Sequence, residues 1–188
     1  MKRVSIAEIL VWLIAVLLVA GIVHISSVLL LPQVAARNSY TRLSSLAPPG
    51  GFGVLPTPAP GDDALPFTDP GAILAICRFD LGASPFRIRV GIDNEALTSL
   101  SFHSRRGDVF HTLTDRAALR GRLDVILGTS VQVDAAEAAD TEEAPVKEVR
   151  LVSPSQTGLV VIRAMASSGA GVDGLKRRIA AAECRPAE

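Results

Sequence analysis

This chain has few aromatic residues and no excess of charge of either sign. Its 188 residues include one Trp and one Tyr, and 19 Lys and Arg are balanced by 19 Asp and Glu. Base-stacking nucleic-acid modules need aromatic platforms, and a basic field is what draws nucleic acid to a protein surface. The sequence therefore predicts no nucleic-acid partner.

Recognisable catalytic and cofactor-binding motifs are also missing. The sequence has no Gly-x-Ser-x-Gly elbow, no phosphate-binding P-loop, no His-Glu-x-x-His and no Cys-x-x-Cys. One glycine-rich match, at residues 169–174, lacks the following parallel strand and acidic residue that a dinucleotide site requires. We therefore predict no catalytic residue, no cofactor and no metal ligand set, and we favour a non-enzymatic protein.

Cysteine is scarce, with only Cys77 and Cys184. An even number in an exported domain favours a disulfide, which would join the first core strand to the end of the last helix. In the chain-entropy model, closing a loop of that length stabilises a fold by between about 4 and 5 kcal/mol. The alternative is two separate buried thiols. In either case we predict a structural role for the two cysteines, because the chain lacks the Cys-x-x-Cys spacing of redox sites.

The strongest positive signal is an uncharged run over residues 9–31, which follows Lys2 and Arg3. At about 1.5 Å per residue, a helix of that length spans the roughly 30 Å hydrocarbon core of a bilayer. The apolar core of a secretory signal is shorter, at roughly 7–15 residues. We therefore favour a retained transmembrane helix, with the small residues 34–36 leaving a cleaved signal as the alternative.

The direction of this helix depends on its short N-terminal tail, residues 1–8. Lys2 and Arg3 precede the run and Arg37 and Arg42 follow it, so the flanking basic residues are balanced. The short tail and its α-amino group favour an N-terminus in the cytoplasm. In a Gram-negative bacterium the chain would be a single-pass inner-membrane protein with its domain in the periplasm, in contact with the lipid bilayer.

Two segments separate the apolar run from the remaining domain. Residues 32–47 predict a juxtamembrane amphipathic helix, which Pro32 either separates from the membrane helix or leaves continuous with it. Residues 48–70 hold seven of the twelve prolines, so we expect an extended segment. Its apolar residues favour partial packing over a free linker, and Asp69-Pro70 predicts a short helical turn.

Residues 71–188 predict a β-rich domain. Apolar and polar residues alternate most clearly over residues 86–92, and the acidic run at residues 134–143 predicts a solvated loop. Short strands separated by turns indicate a mainly β, α+β fold: a small antiparallel sheet or sandwich with a C-terminal helix. The predicted strands are residues 75–81, 86–92, 97–103, 109–113, 123–127, 146–152 and 159–165, and the predicted last helix is residues 172–183.

A hairpin predicted around residues 105–108 carries two histidines, His103 and His111. Together they form a candidate metal or ligand site. A two- or four-residue loop pairs His103 with Phe110 and sends His111 to the opposite face, and only an odd loop places both imidazoles on one face. The alternative function is therefore a small periplasmic enzyme, or a ligand or metal binder, that uses this hairpin.

Several short motifs carry a resemblance to a known family. With them the chain resembles the short, membrane-anchored branch of a bacterial family of uncharacterised membrane proteins, catalogued as domain of unknown function 1254 and common in alphaproteobacteria. The motifs are Cys77-Arg78-Phe79-Asp80-Leu81, Phe86-Arg87-Ile88-Arg89-Val90, Ser104-Arg105-Arg106-Gly107, Ala181-Ala182-Glu183-Cys184-Arg185, Leu65-Pro66-Phe67 and Asp69-Pro70.

The resemblance implies a β-rich exported domain and a membrane-protein partner from a related uncharacterised family. It implies no activity and no site residues. The family's hairpin usually shows Trp, Tyr and Asp where this chain has Thr98, His103 and Ser104, and this difference argues against a hairpin active site. We expect a membrane-anchored envelope protein that acts as a partner-binding or accessory module.

Overall fold

The computed structural model of the chain describes residues 5–48, 50–57, 69, 71–93, 96–140, 148–167 and 171–187. Within the first helix, the side chains of residues 32–39 and 42 lie outside this description. All structural statements below concern the described residues.

Helix α1 runs without interruption from Ile6 to Ser44. A capping box begins it: the Glu8 backbone N–H donates to the Ser5 hydroxyl, and the Ser5 N–H donates to the Glu8 carboxylate. The predicted membrane and juxtamembrane helices are therefore one helix, which Pro32 does not end. One proline removes a single backbone hydrogen bond, and the turns on both sides keep the long helix together.

The first part of α1 is long and apolar enough to cross a membrane. This part covers residues Ile6–Leu31, none of it buried, and it is the one such helix in the described part of the chain. Its large apolar side chains are exposed on every face. Exposure all round is what a lipid environment accommodates and water does not.

Nine strands within the described residues form two sheets, so the expected mainly β, α+β fold is confirmed. Sheet A has the order β1-β2-β8-β4-β5 and is antiparallel, whereas sheet B has the order β7-β6-β3-β9 with β6 and β7 parallel. The strands are β1 Gly53–Val54, β2 Ala72–Asp80, β3 Phe86–Gly91, β4 Ala96–Ser104, β5 Val109–Thr114, β6 Arg122–Gly128, β7 Val149–Val152, β8 Thr157–Ala166 and β9 Glu183–Pro186.

The core lies between the two sheets and draws on both. Phe79, Phe102 and Ile162 from sheet A and Ile88 and Leu127 from sheet B are fully buried in one cluster. Burying an aliphatic or aromatic side chain of this kind stabilises a fold by about 1.5–3 kcal/mol. Strands of alternating polarity therefore assemble because their apolar faces meet.

Helix α2, Ser130–Ala138, was not expected from the sequence. Thr129 caps it, in a capping box with Gln132, and Val133 is buried. The prediction of a solvated loop at residues 134–143 is therefore wrong over its first part, while residues 141–147 lie outside the description. The cap hydrogen bonds and one buried apolar residue outweigh the acidic composition of the exposed face.

The chain ends in a helix followed by a strand. Helix α3, Val172–Ala180, buries Leu175 and Ile179, but the predicted extension of this helix to residue 183 is wrong. Glu183 begins β9, which pairs with the edge of sheet B at β3. Backbone hydrogen bonds to an open sheet edge outcompete one more helical turn.

The segment before the domain packs against it, as expected. Phe52 joins the core cluster, and β1 pairs with β2. Asp69 precedes a turn into β2, where its carboxylate accepts a hydrogen bond from the Gly71 N–H at 2.9 Å. A single hydrogen-bonded turn therefore follows Asp69, in which the Ala72 N–H donates to the Asp69 carbonyl at 3.1 Å, and β2 begins directly after it. Pro70 lies outside the description.

Candidate functional site

A disulfide joins the two sheets of the domain. Cys77 of β2 is bonded to Cys184 of β9, and both residues are fully buried. The predicted bridge is confirmed, although its second cysteine lies in a strand and not in the last helix. Disulfides persist in oxidising compartments, so the bridge indicates such a compartment for the domain.

The end of α1 docks on the outer face of sheet A, where it contacts β2 and β8. Tyr40 and Leu43 of the helix are half-buried. Ile76 of β2 and Leu159 of β8 are buried but stand apart from the core cluster, as side chains on the opposite face of these strands must. The apolar face of the helix end therefore covers apolar residues that would otherwise meet water.

A second contact joins α1 to the tip of the β4–β5 hairpin. The Arg105 guanidinium lies over the Tyr40 ring, 5.8 Å from its centroid. A cation–π contact of this kind stabilises an exposed site by roughly 0.5–1 kcal/mol. The helix is thus held against the domain at a strand face and at a turn.

The hairpin does not bring the two candidate imidazoles together. Where β4 pairs with β5, Phe102 lies opposite His111. A β-bulge then shifts the pairing, so that His103 lies opposite Val109. Paired residues share a face and neighbours along a strand alternate, so His103 and His111 lie on opposite faces of sheet A. The four-residue loop, residues 105–108, therefore separates the two imidazoles as expected, but the expected pairing of His103 with Phe110 is wrong, because the bulge places His103 opposite Val109.

Each imidazole has neighbours that account for its position. His103 Nε2 lies 2.9 Å from the Ser101 hydroxyl and Nδ1 lies 3.2 Å from the Gly107 carbonyl. The His111 ring lies tilted against the Phe102 ring, with centroids 6.4 Å apart. No group of three or more His, Cys, Asp or Glu with metal-ligand geometry occurs among the described residues.

The hairpin tip also forms one wall of a cleft of about 600 Å³, which we call the hairpin cleft. The loop between β7 and β8 forms the opposite wall. The Ser155 hydroxyl accepts from the Arg105 N–H at 3.2 Å and donates to the Thr157 carbonyl at 2.9 Å, which ties the two walls together. The lining residues are Ser104, Arg105, Arg106, Asp108, Phe110, Pro154 and Ser155.

The hairpin turn itself is braced from within. Ser104 is nearly buried, and its hydroxyl accepts from the Arg106 N–H at 3.2 Å. Gly107 has a φ of 94°, a conformation that glycine adopts at little cost. Two adjacent arginines thus stand on a fixed turn at the rim of the cleft, a placement that residue order alone does not reveal.

The outer face of sheet B carries a network of matched charges. Arg87 contacts Glu148 at 2.8 Å, and Arg89 contacts Asp124 at 2.8 Å. The hydrogen bond to Asp124 raises the pKa of the Arg89 guanidinium above its ordinary value. Glu183 Oε2 lies 3.7 Å from Arg89, within ion-pair distance but without a hydrogen bond. Because each charge has an opposite neighbour, the network braces the strands.

A bidentate ion pair extends this network to the end of α2. Arg150 of β7 donates to both carboxylate oxygens of Asp140, at 2.6 and 2.7 Å. These bonds lower the pKa of the Asp140 carboxyl below its ordinary value and raise that of the Arg150 guanidinium. Charge-assisted bidentate pairs have fixed geometry, so this pair holds α2 against sheet B.

No protein-family model and no curated protein matches the chain. The VPA0106 protein from Vibrio parahaemolyticus has a similar structure, with 12% identity and a TM-score of 0.51 over 64% of this chain and 29% of that one. An uncharacterised protein from Burkholderia cenocepacia is 14% identical, with a TM-score of 0.43 over 77% of this chain and 37% of that one. The chain thus spans less than two fifths of either structure, and the first similarity is one of fold alone.

Proposed function

We propose that this protein is a single-pass inner-membrane protein whose N-terminus lies in the cytoplasm and whose β domain lies in the periplasm. There it acts as an accessory module for a membrane-protein partner. The observation that carries the proposal is the continuity of α1, which passes from a fully exposed apolar span into contact with sheet A.

This continuity makes the helix a stalk and not a flexible tether. From Leu31 to Ser44 the helix extends about 20 Å beyond the apolar span. The Tyr40–Arg105 contact and the docked helix end then fix the orientation of the domain relative to the helix. A module held in this way presents the same surface to a neighbouring membrane protein, which lowers the orientational cost of binding and so favours a partner-binding role.

The disulfide supports the periplasmic assignment. Cys77 and Cys184 are bonded in the core, and cytosolic thiols are kept reduced. With the domain in the periplasm, the short tail before α1 lies in the cytoplasm. The resemblance to membrane-anchored envelope proteins supports the same topology and a membrane-protein partner.

Topology is tested with the full chain in a Gram-negative host. Membranes are extracted with alkaline carbonate, and denatured samples are labelled with polyethylene-glycol maleimide before and after reduction. We expect the chain to stay in the membrane and to accept two labels only after reduction. The variant Cys184→Ala provides the labelling control, because its single thiol should react without reduction. A chain with two free thiols in fresh membranes, or one that is released by carbonate, would contradict the proposed topology.

The accessory role is tested by chemical crosslinking in the native membrane, followed by purification under denaturing conditions. We expect one reproducible membrane protein to be captured by the natural chain. A matched chain with residues 9–31 scrambled at constant composition anchors equally well and should capture the same protein, because the proposed partner surface lies on the domain and not on the span. If the natural chain is recovered only as a monomer, the accessory role is incorrect even when the topology holds.

A further inference from the structure

The hairpin cleft lies at the end of the domain nearer to the apolar span. Tyr40 of α1 contacts Arg105 at the hairpin tip. Leu46 lies further along the chain from the span, and its carbonyl oxygen lies close to Gly53 of β1. Gly53 in turn pairs with the middle of β2. Because the chain leaves the span at Leu31 and passes Tyr40 before Leu46, the hairpin end of sheet A faces the bilayer.

The distance to the bilayer is short. From Leu31 to Tyr40 the helix rises about 14 Å, and side chains on a helix tilt back toward its N-terminus. Each headgroup layer is about 5–8 Å thick. Under the proposed anchorage, with Leu31 at the edge of the hydrocarbon core, the Arg105 guanidinium beside the Tyr40 ring would lie just above the headgroup layer, within reach of an extended arginine side chain such as that of Arg106.

The lining of the cleft has the chemistry of a phosphate site. Arg105 and Arg106 supply two guanidinium groups, whose forked donors match phosphate oxygens. Ser104 adds a hydroxyl, whereas the Ser155 hydroxyl already donates to the Thr157 carbonyl and holds the wall in place; Asp108 is the single acid in the lining. We propose that the hairpin cleft binds the phosphate headgroup of an anionic phospholipid in the leaflet from which α1 emerges. This inference rests on the proposed membrane anchorage.

The test titrates the full chain in non-ionic detergent with phosphatidylglycerol and follows lipid binding by native mass spectrometry. Near an anionic surface each arginine contributes about fivefold to affinity, so we expect Arg106→Ala to raise the Kd about fivefold and Arg105→Ala/Arg106→Ala about 25-fold. The single variant is decisive, because Arg105 also contacts the stalk. Arg116→Ala/Arg122→Ala, at exposed arginines where β5 ends and β6 begins, is the charge-matched control and should bind as the natural chain does.

Three results would overturn the proposal: equal affinity in Arg106→Ala and the natural chain, equal affinity for phosphatidylcholine, or displacement of the lipid by millimolar inorganic phosphate. The last would show a site for soluble phosphate. Carbonate extraction of the same variants separates this inference from the proposed anchorage. If the variants stay in the membrane but bind lipid as before, only the headgroup site fails. If the natural chain is extracted, the anchorage fails.

Discussion

Removing the inter-sheet disulfide should destabilise the domain more than any single change at its surface. Cys77 and Cys184 are 107 residues apart in sequence. A crosslink that closes so long a loop restricts the unfolded chain, and the entropy model assigns it about 4.8 kcal/mol at 25 °C. This is a large share of the total stability of a typical domain, which is about 5–15 kcal/mol.

The perturbation is the double variant Cys77→Ala/Cys184→Ala, which leaves no free thiol and keeps both sites apolar. For a domain of roughly 120 residues, a loss of about 4.8 kcal/mol lowers the melting temperature by about 20 °C. The only tryptophan, Trp12, lies in the apolar helix and does not report on the domain. Pulse proteolysis across a urea series measures domain unfolding directly, with α1 protected in detergent.

Reduction of the natural chain provides the matched control, since it removes the same bridge without a substitution. We expect the reduced chain and the double variant to unfold at nearly the same urea concentration. A loss below about 1 kcal/mol in both would refute the reasoning, because it would mean that the bridge does not constrain the unfolded state.

Further predictions concern a buried glycine in strand β8 and a surface ion pair. Gly158→Ala should cost about 3 kcal/mol in urea unfolding, because a Cβ there would overlap the buried Phe79 ring and a β4 carbonyl, whereas Gly174→Ala, in open space on α3, should be neutral or slightly stabilising. Asp140→Asn should be less stable than the natural chain at pH 7. Because Arg150 lowers the pKa of the Asp140 carboxyl, that difference should persist down to about pH 5 and shrink as the pH falls through the lowered pKa. A difference that is unchanged at pH 2 would contradict the ion-pair interpretation.

Elements with a strong local signal could be predicted from the sequence. The apolar run predicted the span of α1, and the alternation of apolar residues predicted β3, whose inward side chains Ile88 and Val90 are buried. The cysteine count predicted the bridge. In each case one property dominates, namely apolar character or the capacity to crosslink, and it leaves a periodic or compositional pattern in the sequence.

Elements that depend on distant partners could not be predicted. Strand β9 covers only Glu183–Pro186 and has no periodicity of its own; it is a strand because the edge of β3 is open. The walls of the hairpin cleft meet through Arg105 and Ser155, which are 50 residues apart in sequence. For α2 a local signal did exist, the Thr129–Gln132 capping box, but the acidic composition obscured it.

The position of the disulfide also determines how the domain would carry mechanical load. Cys77 lies in the strand on which α1 docks, and Cys184 lies in the last strand. A pull between the stalk and a point beyond β9 would run through the bridge and bypass the 107-residue loop that it closes. The bridge therefore prevents this loop, whose fully extended length is about 370 Å, from extending under load. Strands β3–β8 would thus lie outside the covalent path that carries such a load.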